Sequence, residues 1–374
     1  MDAPRRERDG APALPSAVDV VVVGAGAAGL MAAIQAGRRG RRTLLLEKQQ
    51  RPGLKILISG GGRCNLTTTR AGADLEAQYG AARGRFLRHA LRAFPPTALR
   101  AFIEQAGVPL QEEDLDKLFP VSQKARDVVA HPHGGFTVST DRGAVQAASV
   151  VLATGGLSYP KNGATGDGYP WCRALGHTVT ATWPALAPLA VAEPWVRELQ
   201  GIVLHGVALT SLDAARQPVT TRVRPILFTH KGLSGPAPMD LAGDVEQAQG
   251  AAAVRFDFAP DRREDELEAE WLALAAAHGG RRASSVLPAA LPERVRAALC
   301  AQAGGDVPLA NWPRPQRRAL VAATKGLVVP VGRSLGYDHA EVTRGGVALA
   351  EIDASTMQSK VRPGLFVCGE LLDV

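Results

Sequence analysis

The chain has 374 residues, 46% apolar and 21% charged, with a net charge of +7. That length supports two or three domains with cores of their own, and the composition excludes a disordered, collagenous or disulfide-scaffold protein. No apolar run reaches the ~18 residues of a membrane span.

The N-terminus, MDAPRRERDGAPALPSA, is charged and rich in Pro and Ala and lacks an apolar h-region. Residues 1–17 are therefore expected to form a disordered tail and not a signal peptide. The cysteines Cys64, Cys172, Cys300 and Cys368 form no CxxC and no metal-ligand spacing, so reduced thiols, no metal and a cytoplasmic location are expected. The positive charge raises the question of nucleic acid. The arginines are scattered, however, and aromatic residues make up only 5% of the chain. The expected partner is a small-molecule substrate, with no nucleic acid and no membrane, and the field serves to attract an anionic cofactor or substrate.

In chain order, the β-branched run Val20–Val23 predicts a strand buried on both faces. It ends at Gly24-Ala-Gly26-Ala27-Ala28-Gly29 and is followed by an Ala-rich helix to about Arg39, a second strand over Thr43–Leu46, and Glu47-Lys48. This is the dinucleotide fingerprint in its strand–turn–helix–strand context. Gly24 makes the tight turn, Gly26 lets the backbone approach a pyrophosphate, and Gly29 lets helix and strand pack closely. The pyrophosphate is expected on the helix N-terminus, where unpaired N–H groups and the macrodipole favour negative charge. Glu47, 23 positions after Gly24, is placed to accept both ribose hydroxyls. At this point the cofactor is an adenine dinucleotide, FAD or NAD.

Next comes RPGLKILISGGGRCNLTT, with three consecutive glycines, Gly60 to Gly62. Such a run costs folding entropy and packs nothing, so backbone lying flat against a ligand is expected, with Lys55 and Arg63 near phosphate or flavin oxygens and Asn65 beside them. Cys64, with no partner cysteine nearby, is expected to be a small buried residue. Residues 80–107 carry a helical apolar stripe broken at Pro95-Pro96. A short strand is expected at Leu118–Pro120, then a helix start, then a hairpin over Phe136–Thr140. The buried strand Val150–Ala153 closes on Thr154-Gly155-Gly156, which resembles the second dinucleotide contact of the two-dinucleotide-binding-domain flavoproteins. Asp167, in Gly166-Asp-Gly168, is expected to contact the cofactor and also to cap the helix that follows.

From Trp183 the chain becomes Pro-punctuated. Residues 200–258 alternate like strands, 262–324 look helical, and strands resume after Gly326. His230, in Phe228-Thr-His-Lys-Gly-Leu-Ser-Gly-Pro236, is the candidate proton-transfer group because an imidazole titrates near neutrality. Lys55 is a second candidate catalytic residue. Lys231 is a candidate anion contact for a nicotinamide donor.

These pieces together resemble the bile-acid Δ4,6-reductase-like flavoproteins, also called BaiN-like, a bacterial NAD(P)/FAD-dependent oxidoreductase family. The resemblance rests on GAGAAG at 24–29, LKILISGGGRCNLT at 54–67, LFPVSQKARDVV at 118–129 and LATGGLSYPKNGATGDGY at 152–169. It continues through ILFTHKGLSGPA at 226–237, AEVTRGGVALAEID at 340–353, TMQSK at 356–360 and GLFVCGELLDV at 364–374. It implies an α/β fold: an FAD-binding Rossmann-like domain of two segments, with an inserted β-rich domain and a helical subdomain. The expected boundaries are an FAD domain over 18–186 and 354–374, a β-rich domain over 187–261 and 326–353, and a helical subdomain over 262–325. It also implies bound FAD, with the flavin between Gly60–Asn65, Gly155–Gly156 and Gly369–Glu370, and hydride transfer to or from a small organic substrate. NAD(P)H enters only as a transient donor, because no second strand–GxGxxG–helix unit follows residue 150.

Two departures from the family pattern carry expectations. Only Ala130–His133 separate Val129 from the hairpin, where the family has the rest of a helix and another parallel strand, a crossover of at least ~10–12 residues. The sequence also stops at Val374, where the family continues into a helix facing the isoalloxazine. A chain that keeps the dinucleotide fold without turnover is therefore the alternative to an active oxidoreductase.

Overall fold

The computed structural model describes residues 14–113, 117–120 and 146–374. The N-terminal tail as far as residue 13, the expected hairpin at 136–140 and the shortened crossover at 130–133 lie outside the described residues. The first segment runs β1 (Ala17–Val23), α1 (Ala27–Arg38), β2 (Thr43–Leu46), α2 (Leu54–Ile58), β3 (Thr67–Thr68), α3 (Gly72–Gln78), α4 (Ala81–Ala93), α5 (Pro96–Gln105), β4 (Leu110–Glu113), β5 (Lys117–Pro120), β6 (Gln146–Leu152) and α6 (Gly168–Ala174). After it come β7 (Trp183–Ala185), β8 (Leu189–Ala190), α7 (Pro194–Glu198), β9 (Val203–Leu204), β10 (Ala208–Leu212), β11 (Pro218–Val223), β12 (Ile226–Thr229) and β13 (Gly232–Ser234). The chain continues through α8 (Pro236–Asp240), α9 (Ala242–Gln247), β14 (Ala253–Asp257), α10 (Glu264–Ala277), α11 (Glu293–Gln302), α12 (Arg314–Gly326), β15 (Leu327–Pro330), β16 (Arg333–Ser334), β17 (Val342–Arg344) and β18 (Leu365–Val367).

The chain divides into two units, one of residues 1–182 and 345–374, the other of residues 183–344. The first contains a parallel sheet in the order β18-β6-β1-β2. Val20–Val23 pair in register with Thr43–Leu46 on one side and with Ser149–Leu152 on the other. The β1 and β6 ends therefore reach the same level as the start of Glu47. Burial of Val21 and Val22 on both faces explains the unbroken Val run. A small antiparallel sheet, β3-β5-β4, sits in the same unit with α3, α4 and α5. The break expected at Pro95-Pro96 is the α4–α5 junction, with Pro96 at the first position of α5, where a missing N–H costs nothing.

The second unit holds the antiparallel sheets β11-β10-β14-β15 and β16-β8-β13-β12-β9, with β17 paired to β7. Its helices and strands share one core. Phe256 stacks on Phe258 at 5.3 Å and on Phe228 at 6.2 Å, and Trp271 of α10 lies 6.0 Å from Trp312. The expected β-rich domain and helical subdomain share this core within one compact unit. Among the described residues no helix is long and apolar enough to cross a membrane, no cluster could hold a metal ion, and all four cysteines are free.

Candidate functional site

The C-terminal ends of β1 and β6 and the turn after β2 surround a cleft of about 1150 Å³, lined wholly by residues of the first unit. Gly24, Gly26, Glu47, Lys55, Gly155 and Asp167 are among its walls. The fingerprint turn is packed as its spacing predicts. A Cβ on Gly29 would lie 1.8 Å from the Gly24 carbonyl oxygen, and one on Gly24, at φ +103°, would lie 2.4 Å from the Ala153 carbonyl oxygen. By contrast, nothing lies within 4 Å of a Cβ built on Gly26. Gly26 is the N-cap of α1, and Ala27 and Ala28 open the helix with no side chain across its N–H groups. The turn is closed on the protein side and open on the cleft side.

Glu47 stands beside that helix start. Its Oε2 accepts the Ala25 N–H at 2.8 Å and its Oε1 accepts the Gln49 N–H at 2.9 Å. Each carboxylate oxygen retains a lone pair for a further donor. Lys48 turns the other way, to Asp167 and to the Thr165 hydroxyl. This differs from the capping role expected of Asp167. The residue occupies the N-cap of α6 but has helical dihedrals, φ −55° and ψ −30°, and its side chain makes no cap bond. The carboxylate goes instead to Lys48 and to the Thr165 hydroxyl at 2.9 Å, and the Lys48 hydrogen bond holds its pKa below the ordinary carboxylate value.

Lys55, on α2, forms an ion pair with Glu370, which joins two candidates 315 positions apart. Gly369, at φ +74°, brings the closing turn against α1: a Cβ there would lie 2.8 Å from the Ala28 Cβ. Gly60, Gly61 and Gly62 all have positive φ, at +57°, +69° and +84°, a conformation β-carbon-bearing residues avoid. A Cβ on Gly60 would meet Asn65 and Phe119 at 2.8 Å, whereas Gly61 faces open space. Arg63, next in line, lies over the Phe119 ring at 4.4 Å and pairs with Glu113 at 2.7 Å. Cys64 is buried and its thiol pKa is raised, chiefly by burial against an opposing hydrogen bond with Ser59. That fits a packing residue better than a nucleophile. Asn65 lies not in the cleft but in a separate groove bounded by α3, α4 and α5.

Thr154 and Gly155 line the cleft, and the Gly156 carbonyl, just beyond, accepts the Gly166 N–H at 3.1 Å. The Thr154 hydroxyl is buried with no hydrogen-bond partner among the described residues, a condition that costs about 1–3 kcal/mol unless a ligand meets it. His230 and Lys231 belong to the second unit, exposed in the turn between β12 and β13.

The cleft volume, the open face of Gly26, the outward lone pairs of Glu47 and the unmet Thr154 hydroxyl fit an adenine dinucleotide with a flavin. Sequence reasoning missed how the cations are paired. Lys48 and Lys55 were visible as charges, but only the fold carries Asp167 and Glu370 to them. The Asn162–Ala164 wall of the cleft lies within the matching segment at 152–169 but has no expected role of its own.

Known proteins bear on this geometry. The chain is 33% identical over 384 residues to a ribosomal RNA dihydrouridine synthase of Escherichia coli, covering 95% of this chain and 92% of that one. A protein of the same name from Haemophilus influenzae is 27% identical over 95% of this chain and 92% of its own length. A 3-dehydro-bile acid delta(4,6)-reductase of Clostridium scindens is 25% identical over 94% of this chain and 92% of its own, in agreement with the resemblance read from the motifs. The family model described as HI0933-like protein Rossmann domain matches in two pieces, residues 18–133 and 129–374, which meet at the shortened crossover. The chain belongs to that family, as an α/β protein with an FAD-binding Rossmann-like domain.

Proposed function

We propose that the protein is an FAD-dependent oxidoreductase that saturates a carbon–carbon double bond conjugated to a carbonyl. The observation that carries this reading is the cleft in which the fingerprint turn, Glu47, Lys55 and Thr154-Gly155 converge. The α1 N-terminal amides would hold the pyrophosphate and Glu47 the ribose. The Thr154 hydroxyl would gain its missing partner, and Gly60–Gly62 would leave a flat backbone surface. Bound there, FAD would supply the hydride.

The names of the relatives support the bond type. A dihydrouridine synthase saturates the C5–C6 bond of uracil, conjugated to the C4 carbonyl. A delta(4,6)-reductase of a 3-dehydro-bile acid works on double bonds in conjugation with a ketone. In both, the carbon β to the carbonyl is electrophilic and takes the hydride, and the α carbon takes a proton. His230, exposed at its turn, is our proposed proton source, with Lys231 as an anion contact. The donor is NAD(P)H, held only transiently because no second dinucleotide turn is present among the described residues. Its affinity should lie in the upper part of the ~1 μM–1 mM range.

For the substrate we propose a uracil in RNA. The expectation of a small-molecule substrate keeps support from the bile-acid reductase relative; the preference for RNA rests on the name of the relative of higher identity. The test loads the protein with FAD, reduces it anaerobically with NADPH or NADH, and adds ribosomal RNA or, separately, a small cyclic enone. Flavin reoxidation with two hydrogens gained by the substrate supports the reading. A protein that stays colourless with added FAD, or a reduced flavin that neither substrate reoxidises, defeats it and leaves the non-catalytic alternative.

A further inference from the structure

The net charge is unevenly distributed. The described residues of the first unit carry 19 Lys and Arg against 12 Asp and Glu; those of the second carry 18 against 17. The excess therefore belongs to the unit that holds the cleft, and within it two stretches stand out. Arg38, Arg39, Arg41 and Arg42 are exposed at the end of α1, and Arg85, His89 and Arg92 are exposed on α4 at helical spacing. Tertiary packing makes them neighbours. The Arg38 guanidinium lies 4.9 Å over the Phe102 ring of α5, and Phe102 meets Phe94, at the end of α4, edge-on at 6.2 Å. The Arg41 side chain has no hydrogen-bond or ion-pair partner among the described residues, the Arg85 side chain bonds only to the Ala81 carbonyl of its own helix, and Arg42 and Arg92 pair with Asp19 and Glu76 at 3.2 and 3.6 Å.

Beside this basic face lies a groove of about 480 Å³. Phe94 and Tyr79, 37% and 42% exposed, stand on its rim. Lys117 and Arg70, the latter also paired with Asp74 at 3.4 Å, supply cations, and the amides of Asn65 and Gln78 supply both donors and acceptors. A solvated charged face is the usual meaning of scattered arginines, but it does not explain a concave slot with aromatic edges and amide walls. An anionic membrane would call for protruding apolar side chains, not a slot. Unpaired nucleic acid fits each part: cations for the phosphates, aromatic edges on which bases stack, and amides for base edges.

We propose that α3, α4, α5 and the arginine turn after α1 form the docking face for single-stranded RNA, with one unstacked nucleoside in the groove. The proposal rests on the reading that the substrate is RNA, but its test needs no turnover. Binding of a fluorescent uridine-rich RNA oligonucleotide to the FAD-loaded protein is followed by anisotropy at several salt concentrations. Each phosphate contact on a single strand contributes a slope of about −0.7 in log K against log salt. Arg85→Glu/Arg92→Glu should therefore flatten the slope by about 1.4 and weaken binding roughly 10–30-fold near 0.1 M salt. Tyr79→Ser should weaken it about tenfold with the slope unchanged, because stacking releases no counterions. Melting midpoint and flavin content check that both variants are folded.

Wild-type affinity in either folded variant overturns the proposal. So does a wild-type slope shallower than about −1.4, the value for two contacts, which needs no variant at all. Preference for phosphatidylserine vesicles over RNA overturns it as well. RNA bound through this face with no alkene reduction would keep the face and remove the activity; reduction with RNA affinity indifferent to the face would do the reverse.

Discussion

In residues 183–344 one continuous core runs through strands and helices alike, and Phe228, Leu233, Leu241 and Phe256 are fully buried. Among the described residues of the other unit the buried apolar residues form three clusters: around Val21 and Val22, around Leu365 and Val367, and around Ile103 and Leu110. The charge differs in the same sense, near balance in the first case and strongly positive in the second. A unit built around an open cleft cannot fill its centre with side chains. The Thr154 hydroxyl on the cleft wall, buried without a hydrogen-bond partner among the described residues, would gain one from a bound ligand. The divided unit should therefore depend on its cofactor for stability, and the undivided one should not.

The largest expected effect tests the undivided core. Phe256→Ala removes a ring that stacks on Phe228 and Phe258 and meets Trp195 edge-on at 6.2 Å. It should cost about 3–5 kcal/mol. In denaturant unfolding the loss should be the same with and without FAD. A loss that shrinks when FAD is added would mean that this core is coupled to the cleft and the contrast is false.

The second effect tests the divided unit. FAD at about 100 times its dissociation constant should stabilise the native state by about 2.7 kcal/mol, read as a rise in the melting transition that carries the flavin signal. Stripping FAD at low pH and restoring it should reverse the shift. An apo-protein that melts unchanged would show that the cleft needs no ligand.

Much of this contrast was legible in the sequence, and the missing parts are missing for physical reasons. The strand–glycine–helix–strand–Glu47 unit could be read because every constraint in it is local: dihedral freedom at Gly24, close approach at Gly29, hydrophobic period in β1. The break at Pro95-Pro96 was readable for the same reason. The Lys55–Glu370 pair spans 315 positions, and its geometry follows from parallel pairing of β18 to β6, which no local pattern encodes. Asp167 sat in a good capping context, yet a nearby ammonium competes better for a carboxylate than backbone amides do. The core common to the β-rich and helical segments has no local signature, because composition changes at residue 262 while the packing does not.

A smaller effect, confined to the cleft, separates cofactor binding from folding. Glu47→Ala should weaken FAD binding by about 1.5–3 kcal/mol, the scale of hydrogen bonds to a charged group. The apo-protein should lose stability as well, because the buried Ala25 amide loses its Glu47 acceptor, whereas the half-buried Gln49 amide can turn to water. Isothermal titration with FAD gives the first quantity and apo melting the second. Unchanged FAD affinity would remove Glu47 from the ribose site.

The smallest effect concerns a cluster of the divided unit that has no part in the cleft. His177 is buried, with its Nδ1 3.0 Å from Glu351 Oε2 and its Nε2 2.8 Å from the Ser359 hydroxyl. The Ser359 oxygen accepts the N–H groups of Val361 and Arg362 at 3.1 and 2.7 Å. Its own proton therefore goes to His177 Nε2, and the network assigns the imidazole hydrogen to Nδ1, directed at Glu351. This resembles a hydrolytic triad in residue types only. The serine is 5% exposed and its lone pairs are occupied by the backbone, so the cluster holds the return of the chain toward β18. Glu351 also accepts the Thr178 N–H at 2.8 Å, and bonds from Thr178 and then His177 hold its pKa below the ordinary 4.5. A carboxyl with a lowered folded-state pKa contributes stability that is complete above its unfolded value and is lost as pH falls through the folded one. The melting midpoint of the apo-protein should thus fall as pH drops below about 4.5, and Glu351→Gln should flatten that fall while lowering the midpoint at neutral pH. If the variant keeps the full acid limb, the loss at low pH arises from other carboxylates and this cluster is not what ties the return of the chain in the divided unit.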